Sequence, residues 1–218
     1  MLITFSGLDG AGKSTLISHL KDSLEREHTS VAVSHMNYDV GLYSLLRSLG
    51  RKSATTSQPD QPLVEAQHAP GDRSNFKAKL RYVLVWNKTL RLLLYPLDVL
   101  FFIAYRVYVE KLKRQVLIMD RYFYDTVVDL TGARRTFRTR FLSWLTPTPN
   151  LSIYLDCNPE SAFDRKREFS LDYLRNRRLS YLNLVSRLPR MLVVSTDQDL
   201  EVTRLSLASA VRERMVAH

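Results

Sequence analysis

Apolar positions along the chain follow two spacings. Short continuous runs at Leu2–Ser6, Val31–Val33, Gln115–Met119, Leu151–Leu155 and Met191–Val194 read as buried strands. Between them apolar residues recur every three or four positions. Leu16, Ile17, Leu20 and Leu24 place a helix over Lys13–Glu27, and similar spacing places others over Pro159–Arg167, Leu171–Ser186 and Leu200–Val216. Pro159 suits a first helical turn, and Ser170 can cap the helix that follows it. A shorter helix over Leu42–Leu49 stops at Gly50. Strands alternating with helices predict an α/β three-layer fold, a parallel sheet of about five strands with helices on both faces. Ligands of such sheets sit at the C-terminal strand ends.

Two stretches depart from this alternation. Lys52 to Asn75 is rich in Ser, Thr, Gln and Pro, too long and polar for a core connection; it reads as disordered or as a loop that closes over substrate. Phe76 to Arg114 looks helical, bent or broken near Pro96. Within it, Leu90 to Val109 is strongly apolar but carries Arg91, Asp98 and Arg106. A membrane span wants about 20 mostly apolar residues with few charges, so the stretch reads as a buried helix with charges on one face. Peripheral membrane contact stays open.

A length of 218 residues suits a single domain, with the polar insertion at 52–75 and a short lid at 164–170. The formal charge of +10 points to anionic partners. Its excess lies around Arg134, Arg135, Arg138 and Arg140 and from Arg165 to Arg190. Phosphate chemistry accounts for part of it, so nucleic-acid binding is not inferred. The single Cys157 excludes an internal disulfide or a thiolate metal cluster. With a short first apolar run and no basic leader, no signal segment is expected and a cytoplasmic location is.

The candidate chemistry begins directly after the first strand. Gly7 to Thr15, GLDGAGKST, fits the phosphate-loop spacing of Gly, four residues, Gly-Lys-Ser/Thr. Gly7, Gly10 and Gly12 allow a close backbone approach, and with Ala11 and Thr15 they form a loop whose N–H groups converge on phosphate oxygens at a helix N-terminus. Lys13 supplies a cation for the β- and γ-phosphates of ATP, and the Ser14 hydroxyl is a ligand for Mg²⁺. Asp120 ends an apolar strand where NTPases place a carboxylate near the metal, and Arg121 presents a forked cation to an acceptor phosphate. A capping Asp and a structural salt bridge are the plainer readings of these two.

Together, GLDGAGKST, Asp120-Arg121-Tyr122 and Ile153-Tyr154-Leu155-Asp156 followed by Pro159-Glu160 resemble thymidylate kinase and its relatives among the P-loop kinases. The resemblance continues through Glu168-Phe169 and Tyr181. It implies a P-loop NTPase fold, ATP as donor, Mg²⁺ and a homodimer. Carried over by residue, it implies that Asp9 contacts the acceptor's sugar hydroxyl, that Phe102 stacks on the acceptor base and that Arg106 lies beside it. It further implies that Arg121 grips the acceptor phosphate and that Arg165 approaches the donor from the lid. Lys13, Arg121 and Arg165 are the expected catalytic residues, since phosphoryl transfer rests on positioning and charge neutralisation.

The acceptor side departs from the family pattern. His35-Met36-Asn37-Tyr38 stands where an Arg-Glu-Pro segment is usual, and Asp129-Leu130 replaces a Tyr-Gln pair. The expected activity is transfer from ATP to a nucleoside monophosphate, dTMP foremost. Two alternatives remain: a kinase of another small acceptor such as a sugar or nucleoside, linked to polysaccharide biosynthesis, with Asp125 and Asp129 on its hydroxyls; or an ATP-binding regulator without transfer.

Overall fold

The structure, a computed structural model, describes residues 1–36, 88–131, 137–188 and 191–216. The expected helix over Leu42–Leu49, the stretch from Lys52 to Asn75 and the first part of the long helix, 76–87, lie outside the described residues.

Strand β1 (Leu2–Gly7) feeds a loop and helix α1 (Lys13–Arg26), followed by β2 (Val31–His35). Helix α2 (Lys88–Val107) continues through a π-helical turn, Tyr108–Leu112, towards β3 (Val116–Asp120). Helices α3 (Phe123–Thr131) and α4 (Phe137–Leu145) precede β4 (Leu151–Asp156). Then come α5 (Pro159–Arg165), α6 (Leu171–Val185), β5 (Met191–Ser195) and α7 (Leu200–Val216). The cap of α6 forms as read from sequence, Ser170 Oγ accepting from Tyr173 N at 3.3 Å. Pro96 lies inside α2 without breaking it, which removes the break from the two expected outcomes. It sits on the exposed side of the helix, where a lost backbone bond can be answered by water. The helical geometry changes later, in the π turn closed by Lys113 N donating to Tyr108 O at 3.0 Å.

The strands form one parallel sheet in the order β2-β3-β1-β4-β5. Every residue of β1 is buried, as are Val116–Met119 and Leu151–Leu155, so the central strands are covered on both faces. Helix α1 packs with α7, while α3 meets both α4 and α6. An aromatic cluster of Tyr95, Phe102, Tyr122 and Phe123 joins α2 to the start of α3 through edge-to-face contacts at 5.2–5.4 Å. Among the described residues, no helix is long and apolar enough to cross a membrane. The parallel register brings Gly7, Asp120 and Asp156 to the same edge of the sheet.

Candidate active site

The site is built on the loop between β1 and α1. Gly10 has φ +87°, and a Cβ there would lie 2.5 Å from the Ala162 carbonyl oxygen of α5. Gly12, the N-cap of α1, has φ +82°, but nothing lies within 4 Å of its missing Cβ. Gly10 is therefore required by backbone and neighbour alike, Gly12 by backbone alone. The open space beside Gly12 borders the first turn of α1, whose N–H groups have no intrahelical acceptor.

Lys13 is buried and curls back over the loop, its Nζ donating to the carbonyls of Gly7 at 3.0 Å and Leu8 at 2.7 Å. It also lies 3.9 Å from Asp9 Oδ1. Burial and the nearby Arg121 pull its pKa below the ordinary lysine value, against the opposite pull of Asp9, Asp120 and Asp125. An ammonium held this way is short of negative charge, which a polyphosphate supplies.

Ser14 Oγ donates to Asp120 Oδ2 at 3.4 Å, joining the start of α1 to the end of β3. The other oxygen, Asp120 Oδ1, is buried and has no hydrogen-bond partner. An orphaned carboxylate oxygen beside a serine hydroxyl fits a divalent cation carried in by phosphates, which needs few protein ligands. Among the described residues, no group of three or more His, Cys, Asp or Glu could hold a metal on its own.

Arg121 follows β3 directly and has φ +64°, a left-handed conformation that costs a non-glycine residue about 1–2 kcal/mol. Its N–H donates to the Phe5 carbonyl at 3.0 Å, and its guanidinium turns back to pair with Asp9 in the loop. Burial raises the Asp9 pKa, but Arg121, Lys13 and Arg177 outweigh it and hold the carboxyl below its ordinary value. Burial likewise opposes the Arg121 charge, while Asp9 and Asp125 more than offset it.

Arg165, at the end of α5, reaches the loop from the far side. Its guanidinium donates to the Gly10 carbonyl at 3.4 Å and to the Thr196 carbonyl at 3.5 Å. The segment before α5 is fixed by Asp197, which accepts from Asn158 N at 2.9 Å. Asp156, at the end of β4, holds Arg178 through two bonds of 2.7 and 2.8 Å.

Three expected acceptor contacts are placed elsewhere. Phe102 is fully buried, with Tyr122 and Phe123 against its ring, so it is a core aromatic with no face left for a base. Arg106 bonds Glu110 at 3.1 Å, the Thr148 carbonyl at 3.2 Å and Asn150 Oδ1 at 3.0 Å. Asn150 in turn accepts from Leu2 N at 2.7 Å, so Arg106 anchors α2 at the N-terminal edge of the sheet, opposite the loop. Phe102 and Arg106 stand four residues apart as the resemblance requires, but the phase of α2 turns them inward and away. Asp129 pairs with Arg177 at 2.7 Å and does not stand ready for an acceptor hydroxyl. Asp125 is consumed too, accepting from Ser6 Oγ at 2.7 Å, Tyr122 N at 3.0 Å and Tyr181 Oη at 2.6 Å.

Sequence reasoning missed Arg177 by leaving it inside a basic run. The signal was there: Tyr173, Arg177 and Tyr181 are spaced by four on one face of α6, and the guanidinium stacks on both rings at 5.6 and 5.7 Å.

Several curated proteins resemble this chain along most of its length. The probable thymidylate kinase of Methanosphaera stadtmanae is 24% identical over 85% of this chain and 84% of its own. The thymidylate kinase of Kosmotoga olearia is 25% identical over 89% and 86%, and that of Bifidobacterium longum 25% over 98% of each. Over most of its length the chain is thus similar, at 24–25% identity, to thymidylate kinases. Its parallel sheet and loop are accordingly those of a P-loop NTPase. No protein-family model matches it. Within the thymidylate kinase-like frame the loop, Lys13, Ser14, Asp120 and Arg121 lie together, whereas Phe102 and Arg106 serve the packing of α2.

Proposed function

We propose that this chain transfers the γ-phosphoryl group of Mg·ATP to a nucleoside monophosphate, dTMP foremost. The observation that carries this reading is the convergence of Lys13, Ser14, Asp120, Arg121 and Arg165 on one glycine loop at the C-terminal edge of the sheet. The relatives named thymidylate kinase support the acceptor class.

In this reading the loop N–H groups and Lys13 hold the donor's phosphates, with Gly7, Gly10, Ala11, Gly12 and Thr15 shaping the cradle. Ser14 and Asp120 would hold Mg²⁺, which would supply charge neutralisation for the phosphoryl group in transfer. Arg165 approaches the donor side and Arg121 the acceptor side, so that positive charge flanks the group in transit. Asp9 keeps Arg121 oriented through their ion pair. No strong base is needed, because an acceptor phosphate oxygen is already an anion.

The exposed apolar residues Leu93, Leu97, Leu100, Phe101 and Tyr108 on one side of α2 and its π turn support a homodimer as the working form.

The test is a coupled ADP-release assay with nucleoside monophosphates, nucleosides and sugars offered in turn. The expected result is turnover stimulated by dTMP. Turnover only with a nucleoside or sugar would replace the acceptor, and ATP binding without turnover would replace the reaction.

A further inference from the structure

Helix α4 is apolar on two sides. Leu142 is buried and Leu145 packs on the core, while Thr146, just beyond the helix, meets Tyr95 of α2 with 2.5 Å between their hydroxyl oxygens. The other side carries Phe137, Phe141 and Trp144, spaced at i, i+4 and i+7. At about 100° per residue these three fall within an arc of about 60°. They face solvent, Phe137 being 84% exposed and Trp144 79%. Phe141 and Trp144 lie ring to ring, centroids 6.3 Å apart, so the arc presents a continuous aromatic surface. A helix that only closed the core would carry polar residues on this side. Single exposed apolar residues are ordinary, but three on one arc mark a contact surface.

The charge around the arc says what covers it. From Leu130 to Leu155 the chain carries Arg134, Arg135, Arg138 and Arg140 and no acid. Arg140 is exposed and stands four residues before Trp144, about 40° from it around the helix. Aromatic residues on one face with arginines beside them suit the interface of an anionic bilayer, rings at the acyl boundary and guanidinium groups among the phosphates. Other partners meet half of this pattern. A second copy packed on the face about a twofold axis would set the arginines against their own images, with no acid of α4 between them. Duplex nucleic acid would answer the arginines and leave the rings in water. Among the described residues no helix is long and apolar enough to cross a membrane, so the contact is a peripheral one.

We propose that α4 is a peripheral membrane anchor, seating Phe137, Phe141 and Trp144 in an anionic lipid surface with the neighbouring arginines on its headgroup phosphates. None of these residues belongs to the phosphate loop or to the groups around it. Binding lipid and binding nucleotide are therefore separate properties of the chain, and either can fail without the other.

The experiment is co-sedimentation of the full chain with vesicles of phosphatidylcholine, alone or mixed equally with phosphatidylglycerol, with tryptophan emission followed in parallel. We expect binding to the mixed vesicles, weakened by salt, and little to phosphatidylcholine alone. Binding should bring a blue shift of emission that Trp144→Phe removes while still sedimenting. Phe137→Ser combined with Trp144→Ser should weaken binding at least about tenfold, the loss of two inserted rings. Arg140→Gln should weaken it about fivefold. These side chains are exposed, so the variants should keep the fold and the Mg·ATP affinity of wild type. Should the double serine variant fail to fold, Arg140→Gln and Trp144→Phe decide. Wild-type binding that phosphatidylglycerol does not strengthen, or variants that bind and shift as wild type does, overturn the inference. A changed oligomeric state in the serine variant assigns the face to a second copy, and retention on duplex DNA without vesicle binding assigns it to nucleic acid; either result overturns it too.

Discussion

The phenol of Tyr181 donates to Asp125 Oδ1 at 2.6 Å, linking α6 to α3 beneath the loop. Asp125 also takes Ser6 Oγ from β1 and the N–H of Tyr122. One buried carboxylate thus ties β1, α3 and α6 together. Burial, with Asp125 beside it, pushes the Tyr181 pKa well above the ordinary phenol value, so the proton stays available for the bond. Tyr181→Phe should cost about 2 kcal/mol, a buried hydrogen bond to a charged group. Asp125→Ala should cost more, since three donors lose their acceptor. Urea unfolding of the two variants checks the order; a Tyr181→Phe protein as stable as wild type would contradict it.

The two loop glycines should fail differently. Gly10→Ala meets the Ala162 carbonyl at 2.5 Å in addition to the unfavourable φ, so α5 must shift and stability should fall steeply. Gly12→Ala meets nothing, and its cost should stay near the 1–2 kcal/mol of left-handed backbone. Thermal unfolding separates the two, and equal losses would contradict the close approach of α5 to the loop.

The charges predict the pH response. The folded pKa of Asp9 lies below its ordinary value. Its contribution to stability is therefore full above that ordinary value, about 3.9, and is lost as pH falls through the lowered folded pKa. Lys13 also has a lowered folded pKa, so the unfolded chain binds more protons between the folded value and about 10.4, and stability rises with pH across that window. ATP affinity should move the other way, declining as pH climbs through the lowered Lys13 pKa. Titrations from about pH 7 to about pH 10 check this; affinity unchanged to the ordinary lysine range would show that Lys13 is not perturbed.

Phe102 is a core residue and should behave as one. Phe102→Ala should cost about 3–5 kcal/mol through the cavity it leaves among Tyr122 and Phe123. Phe102→Leu should fold and keep the acceptor KM. A raised acceptor KM in a Phe102→Leu protein of normal stability would restore the base-stacking role.

Much of this was legible in the sequence because it is local. The β1 run, the glycine spacing and the periodicity of α1 lie within adjacent residues, and the loop follows from them. Asp120 and Arg121 were legible as the end of an apolar run. Phe102 and Arg106 were misplaced because a spacing motif does not reveal helix phase; only packing against Tyr122 and Asn150 does. Arg177 was overlooked because its pairing depends on Asp129, a residue distant in sequence that the packing of α6 against α3 brings near. Helices α3 and α4 were not resolved from sequence either, since Asp125, Thr126 and Asp129 blur the apolar period that would mark the first of them.

The central claim is that the loop from Gly7 to Thr15 grips a triphosphate through Lys13. Isothermal titration of Mg·ATP into wild-type protein and into Lys13→Ala, both shown folded by circular dichroism, tests it most directly. The account predicts saturable binding to wild type and a loss of at least about tenfold in Lys13→Ala, the scale of a charge-assisted contact. Absence of binding to the folded wild type, or equal affinity in both proteins, would contradict it.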